Sequence, residues 1–338
     1  MGKGKKGGDK KKAGAVAADA LTPEEFIANY KKACKLFGTS PDDRVVNHLL
    51  DEEAENKTSM FTASTIGPAG VRAICAAILG KHPDFKPMTP FTAYTSLHFM
   101  RVGMGADGAN SVAELLRTGG EQSTIQALRL LDNRIDVRGC KALGASLGFG
   151  CNVTLKYLYI SNDDTVGDDG CTALCRGLRT NGSLKKLHLE YCGIGAKGAK
   201  GIAGVIGYGR TEIESISLRG NQIGGEGLVT ICKPLETNTK LTSLNLQDNC
   251  VSSEHLEELE ALRIALDANN TLEEFIFSDN PIGGEGCSVL APALHKDANK
   301  NLKSVQIHAK TPKGLFDELN RAGGGGKKKG KKKGKKKK

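Results

Sequence analysis

Seven histidines and ten cysteines are the side chains in this sequence best equipped for proton transfer, nucleophilic attack or metal binding. Their spacing completes none of these chemistries. The sequence has no Ser/His/Asp order, no H-x-E joined to the P-C-x-x-C that a zinc motif needs, and no C-x-x-C pair at all. Cys171 and Cys175 are one helical turn apart, a spacing that serves packing before metal binding. Asp163, Asp164, Asp168 and Asp169 gather carboxylates as a calcium loop would, but their offsets do not follow the EF-hand order. The run from Gly323 to Lys327 begins like a phosphate-binding loop. It lacks the closing Ser or Thr and follows no strand, so it reads as a flexible hinge. His98 and His188 stand at matching places on two strands, and neither has a third partner for catalysis or for a metal. No catalytic, cofactor-binding or metal-binding residue is assigned, no cofactor is expected, and the chain reads as a non-enzyme.

The elements that position these residues come from a repeat. The order L-x-x-L-x-L-x-x-N-x-I-G-x-x-G recurs, clearest as Ile125-Leu128-Leu130-Asn133-Ile135, Ile213-Ile216-Leu218-Asn221-Ile223-Gly224-Gly227 and Leu272-Phe275-Phe277-Asn280-Ile282-Gly283-Gly286. Further copies start at Tyr94, Leu155, Leu184, Leu241 and Leu302, giving successive spacings of 31, 30, 29, 29, 28, 31 and 30. So steady a period marks a stack of supersecondary units. The copy at Leu155 has one extra residue and puts its Ile-Gly equivalent at Val166-Gly167, while the last copy loses that turn.

Alternating apolar residues such as Leu187 and Leu189 predict a short strand with one face inward. The Asn column (Asn133, Asn221, Asn249, Asn280, with Cys192 substituting once) offers amides to backbone groups at the turn. Glycine there permits positive φ. Apolar pairs four apart, such as Leu143/Leu147, Leu174/Leu178 and Ile202/Ile206, then predict a helix with one buried face. Asp107, Asp169, Glu226, Glu254 and Glu285 are placed in first helical turns, where acids complement the helix dipole. Cys140, Cys171 and Cys287 share one repeat position with Ala109, Ala199 and Leu228, which predicts small-residue packing.

A unit of 28–31 residues, strand, Ile-Gly-x-x-Gly and full helix, resembles the ribonuclease-inhibitor class of leucine-rich repeats over about residues 91–310. That class includes ribonuclease inhibitor, the GTPase-activating protein for Ran, tropomodulin, innate immune receptors and several ciliary proteins. The resemblance implies a curved α/β solenoid of right-handed βα repeats, with parallel strands on the concave face and helices on the convex face.

Residues 21–90 are expected to cap the solenoid, whose exposed end needs cover. Thr22-Pro23-Glu24-Glu25 is a capping box opening a helix with Phe26, Ile27, Tyr30, Cys34 and Phe37 on one face. Ser40-Pro41-Asp42-Asp43 opens a second helix, and Ile66-Gly67-Pro68-Ala69-Gly70 reads as a degenerate repeat with a weak strand half near Ser59 to Phe61. Tyr30 to Cys34 with Gly38, Pro41 and Leu49 is also similar to the helical lead-in of leucine-rich repeat proteins from cilia and testis. Thr311-Pro312 opens a closing helix.

Side chains two, four and six residues after each repeat start are expected to point away from the core. The fourth-position column reads His98, Arg129, Tyr159, His188, Ser217, Asn245, Ile276 and Gln306. The sixth begins Met100, Leu131, Ser161, Glu190 and Arg219. Tyr157 falls at a second position and Tyr191 just past a strand. Tyr, Arg and Met are enriched in interfaces. Met100, Arg129, Leu131, Tyr157, Tyr159, His188 and Tyr191 are therefore the candidate protein-binding patch, with Arg129 stacked over Tyr159. Ser217, in the same column, is expected to stay out of the core.

Charge is segregated. Residues 1–14 hold six Lys, and 322–338 hold ten, leaving 15–321 with 32 bases against 37 acids. The overall +10 therefore describes two tails, at 1–20 and 322–338, and not the body. Such Lys-rich segments are expected to be disordered. Lys327, Lys328, Lys329, Lys331, Lys332, Lys333, Lys335, Lys336, Lys337 and Lys338 are the candidate polyanion-binding residues. Lys gives charge without bidentate recognition. No apolar run of roughly 18 residues would span a bilayer, and the N-terminus has no secretory signal, so reduced cysteines are expected.

The expected protein is an interaction scaffold. Its concave repeat face, within a solenoid over 91–321, would hold a protein partner, and its tails would hold acidic tubulin tails or another polyanion. The expected location is cytoplasmic, at the microtubule axoneme of a cilium or flagellum, with the nucleus as another site. A Ran-type GTPase regulator and a ribosome- or RNA-associated nucleolar factor are the alternatives.

Overall fold

In each repeat the starting residue and those three and five after it turn inward, and the backbone between them is drawn out as a strand. The computed structural model describes residues 21–51, 56–82, 88–295, 300–307 and 311–321. Its strands are β1 (Ser59–Thr62), β2 (Ser96–Met100), β3 (Ala127–Leu131), β4 (Tyr157–Ser161), β5 (Lys186–Glu190), β6 (Ser215–Ser217), β7 (Ser243–Asn245), β8 (Glu274–Ile276) and β9 (Ser304–Gln306). They form one parallel sheet in chain order. The helices α1 (Pro23–Leu36) and α2 (Asp43–Leu50) precede the sheet. Between and after the strands come α3 (Gly67–Leu79), α4 (Gly105–Gly119), α5 (Val137–Ser146), α6 (Gly167–Leu178), α7 (Ala196–Ile206), α8 (Gly224–Leu235), α9 (Leu256–Ala268), α10 (Gly283–Leu294) and α11 (Lys313–Leu319). Strands stack at about 4.8 Å and packed helices at about 8–10 Å, so a stack of βα units must curve with its sheet inside.

The register aligns equal positions of successive repeats: His98 with Arg129, Arg129 with Tyr159, Tyr159 with His188 and His188 with Ser217. One apolar core runs the length of the stack, with Leu97, Leu128, Leu158, Leu187, Ile216, Leu244, Phe275 and Val305 in one row and all buried. Close helix approach is permitted by glycine. A Cβ on Gly177 of α6 would stand 1.8 Å from the Gly144 carbonyl oxygen of α5.

Two sets of asparagines bind repeat to repeat. Asn133 donates from Nδ2 to the carbonyls of Phe99 (2.9 Å) and Leu131 (3.1 Å), and its Oδ1 accepts from the Val102 amide. Asn280 does the same one repeat above Asn249, accepting from the amides of Asn249 and Val251. Asp163 fills this column in the longer repeat and accepts from the amides of Asn133 and Ile135. Asn249 breaks the pattern: its Nδ2 donates to Leu218 and Gln247, while its Oδ1 is buried with no partner. The second set was not expected from the sequence. Asn152, Asn181, Asn238 and Asn269 donate to the ends of the preceding helices at Leu116, Leu147, Ile206 and Leu235. Each also accepts from amides just before its own strand, as Asn152 does from Thr154 and Leu155.

The first glycine of the turn has positive φ at Gly67, Gly105, Gly167, Gly224 and Gly283, as expected. Gly195 does not, with φ −105°, because there Asp168 of the neighbouring helix accepts from the Gly195 and Gly198 amides and holds the entry extended. Glu254 corrects the placement of acids. Helix α9 begins at Leu256, so its first-turn acids are Glu257 and Glu258 and Glu254 lies before it.

Thr22 and Glu25 form the reciprocal capping box of α1. The weak strand half is real: β1 pairs in register with β2, so the sheet starts inside the segment expected to be the cap. Asp42, at the start of α2, accepts from Thr62 and Ser64 beside β1 and donates its own amide to the Tyr30 hydroxyl. At the other end Val305 of β9 exchanges backbone hydrogen bonds with Arg321, whose guanidinium also reaches the Leu302 and Leu294 carbonyls. The tail calls at 1–20 and 322–338, including Lys327 to Lys338, lie outside the described residues.

Candidate protein-interaction site

The sheet face away from the helices carries the expected columns, and its first half forms a hollow of about 310 Å³. Met100, Arg129, Leu131, Tyr159 and His188 all line it, together with His98, Ser161 and Glu190. Phe61 lines it too, and the sequence reading missed it. Phe61 lies opposite His98 in register, with ring centroids 6.5 Å apart, so the fourth-position column begins one repeat earlier than the clear repeats do. The Ile66-Gly67 turn would have pointed one residue off, to Met60, because the other repeats set this column six or seven residues before the turn and this one sets it five.

Adjacent strands bring the column into ring contact. The Arg129 Cζ lies 3.9 Å from the Tyr159 ring centroid, as expected, and Tyr159 meets His188 edge-on at 4.8 Å. Both histidines are half-buried. Burial, and then the Arg129 charge, push the His98 imidazole below its ordinary value. Burial also lowers His188 in spite of the Glu190 carboxylate 3.6 Å away, with Lys186 and Arg129 adding to the depression. Ser96 Oγ bonds the His98 ring at 2.7 Å. The hollow is thus an apolar and aromatic surface holding one guanidinium, two imidazoles biased to neutrality and one carboxylate.

Tyr157 and Tyr191 do not line the hollow. Tyr157 is exposed at the strand entry with Lys186 Nζ 5.8 Å from its ring. Tyr191 is exposed at the strand exit, with Arg219 Cζ 5.6 Å from its ring and Gly220 against it. Its φ is +54°, in a column otherwise made of Arg101, Asp132, Asn162, Gly220, Asp248 and Asp279. A bulky residue is uncommon there, and the left-handed backbone costs about 1–2 kcal/mol. Ser217 corrects the expectation for its column. It is buried and donates to Glu190 Oε1 at 2.6 Å, because a short side chain on the curved floor lies under its longer neighbour.

Eight of the ten thiols lie in the packed interior, while Cys151 is half-buried and Cys250 exposed. Cys140, Cys171, Cys175, Cys192 and Cys287 are buried, and burial pushes Cys140 up to about 12. Asp163 spends its oxygens on Asn133, Ile135 and Thr165. Among the described residues no three His, Cys, Asp or Glu side chains are grouped as metal ligands.

This stack of βα units matches a leucine-rich repeat family model at residues 180–203, 212–232, 237–259 and 268–291. The chain is 28% identical over 204 residues to the ribonuclease inhibitor of Mus musculus, covering 60% of this chain and 43% of that protein. It is 27% identical over 175 residues to the ribonuclease inhibitor of Sus scrofa, covering 51% and 37%. It therefore spans less than half the length of these relatives. Among solved structures it is similar to a tropomodulin C-terminal domain from Caenorhabditis elegans, at 16% identity and a TM-score of 0.39, covering 47% of this chain and 91% of that one. The chain carries leucine-rich repeats and is similar to the ribonuclease inhibitors.

Proposed function

We propose that the protein is a non-catalytic interaction scaffold that binds a protein partner on the concave sheet face. The observation that carries this reading is the in-register row Phe61, His98, Arg129, Tyr159 and His188 around an open hollow. These side chains contribute nothing to the apolar core, yet their strands hold them in place, so little ordering would be lost on binding. Tyr159→Ala should weaken partner recovery by a free energy of about 2 kcal/mol, as a central anchor does. Gln306→Ala, exposed in the same column on β9, is the control and should leave recovery unchanged. Pull-down from cells with both variants, beside melting curves, tests this. Equal recovery with Tyr159→Ala and wild type would remove the site from the hollow.

The Lys-rich ends would hold the scaffold on an anionic surface, with the acidic tubulin tails of the microtubule axoneme preferred. That part rests on the ten Lys of 327–338 set against an acidic body. Co-sedimentation with microtubules, before and after removal of the tubulin tails, tests it.

A further inference from the structure

Several cations fixed on this molecule's elements have carboxylate partners. Lys185 meets Glu212 and Glu214, Lys240 meets Glu212, Arg101 meets Asp132, and Arg263 meets Glu260 and Asp267. The two concave arginines differ. Among the described residues, neither Arg129 nor Arg219 has a carboxylate within ion-pair distance, and Arg219 Nε is buried with no hydrogen-bond partner. Each guanidinium instead lies against a tyrosine, Arg129 on Tyr159 and Arg219 by Tyr191. Glu190 stands between them but serves Ser217 and faces His188. Arg129 is exposed and Arg219 half-buried, and a carboxylate matches the fork of a guanidinium's donors.

We propose that the concave face selects an acidic protein segment, one that places a carboxylate on each of Arg129 and Arg219 and an apolar side chain among Phe61, Met100 and Leu131. This rests on the concave face being the binding surface. The two arginines are three strand steps apart, roughly 14 Å along the stack, so the two acids belong to one extended segment crossing the strands. A peptide fits better than a nucleic acid. Exposed Asp248 and Asp279 edge the strand exits and would repel a backbone charged at every step, whereas a peptide can hold its acids to the two arginines.

The test is selection of random twelve-residue peptides displayed on phage against the full-length chain, followed by affinity measurement on the enriched peptides. Enrichment of sequences with two separated Asp or Glu and an apolar residue beside one of them, on the side away from the other, is the expected result. R129Q and R219Q should each weaken those peptides at least tenfold, with unchanged melting and a smaller loss for R129K. Acidic peptides that bind the Gln variants as well as wild type are held by the Lys-rich ends, and that outcome overturns the proposal. Enriched peptides without acids that are still lost in Tyr159→Ala overturn it while leaving the concave reading intact. Peptides indifferent to Tyr159→Ala, Arg129 and Arg219 alike overturn both. Binding of a twenty-nucleotide single-stranded RNA that disappears in R129Q and R219Q would reassign the arginines to nucleic acid.

Discussion

Single side chains decide how firmly one repeat is tied to the next. Asn280 and Asn249 occupy the same column, and each donates to carbonyls of its own repeat and the one below. Asn280 also accepts from two amides of the repeat below, whereas the Asn249 oxygen accepts from none. A buried polar group left unpaired costs about 1–3 kcal/mol. Asn280→Ala should therefore destabilise the fold by about 3 kcal/mol, and Asn249→Ala by at least about 1 kcal/mol less. Urea unfolding of the two variants checks the order, and equal losses would mean that the Asn280 oxygen contributes nothing. Tyr191 shows the opposite relation between residue and fold. Its left-handed backbone is a local cost with no return in the core, which is where function is expected to reside.

Between elements, helix spacing is the tightest constraint. Gly177→Ala would gain about 1 kcal/mol of helix propensity, but its methyl would land on the Gly144 carbonyl oxygen and force α5 and α6 apart. Overpacking of this kind costs about 1–3 kcal/mol, more against rigid backbone, so a net loss of about 2 kcal/mol is expected in a thermal melt. Gly209→Ala meets nothing within 4 Å and should melt like wild type. The sequence showed the columns of this architecture well. A period near thirty fixes which residues neighbour each other, so Arg129 over Tyr159 could be read from position alone. Curvature could not be read that way, and with it went the burial of Ser217 beneath Glu190. Phe61 was missed because its repeat lacks the flanking leucines that set the frame. The second asparagine set looks in sequence like ordinary turn residues, since Asn152 and Asn181 accept from local amides, and only the fold brings the helix ends of the previous repeat within reach.

For the whole molecule, the fold and the Lys-rich ends should be separable. Deleting 327–338 is expected to leave the melting temperature unchanged, because the solenoid is closed by Arg321 before that segment begins. Duplex DNA binding should weaken, and the log–log salt slope should become shallower by up to about 9, one counterion for nearly each of ten Lys. A slope that does not move would shift polyanion binding to residues 1–14 or to the body. Both end strands, meanwhile, are already engaged, β1 beside Asp42 and β9 with Arg321. Among the described residues the sheet ends at these two strands. Its extent is therefore a fixed measure: nine strands enclose eight steps, roughly 38 Å, which an extended chain covers in about eleven residues. The molecule is in this sense a ruler, and a bound segment longer than that span must leave its ends hanging past the last mark.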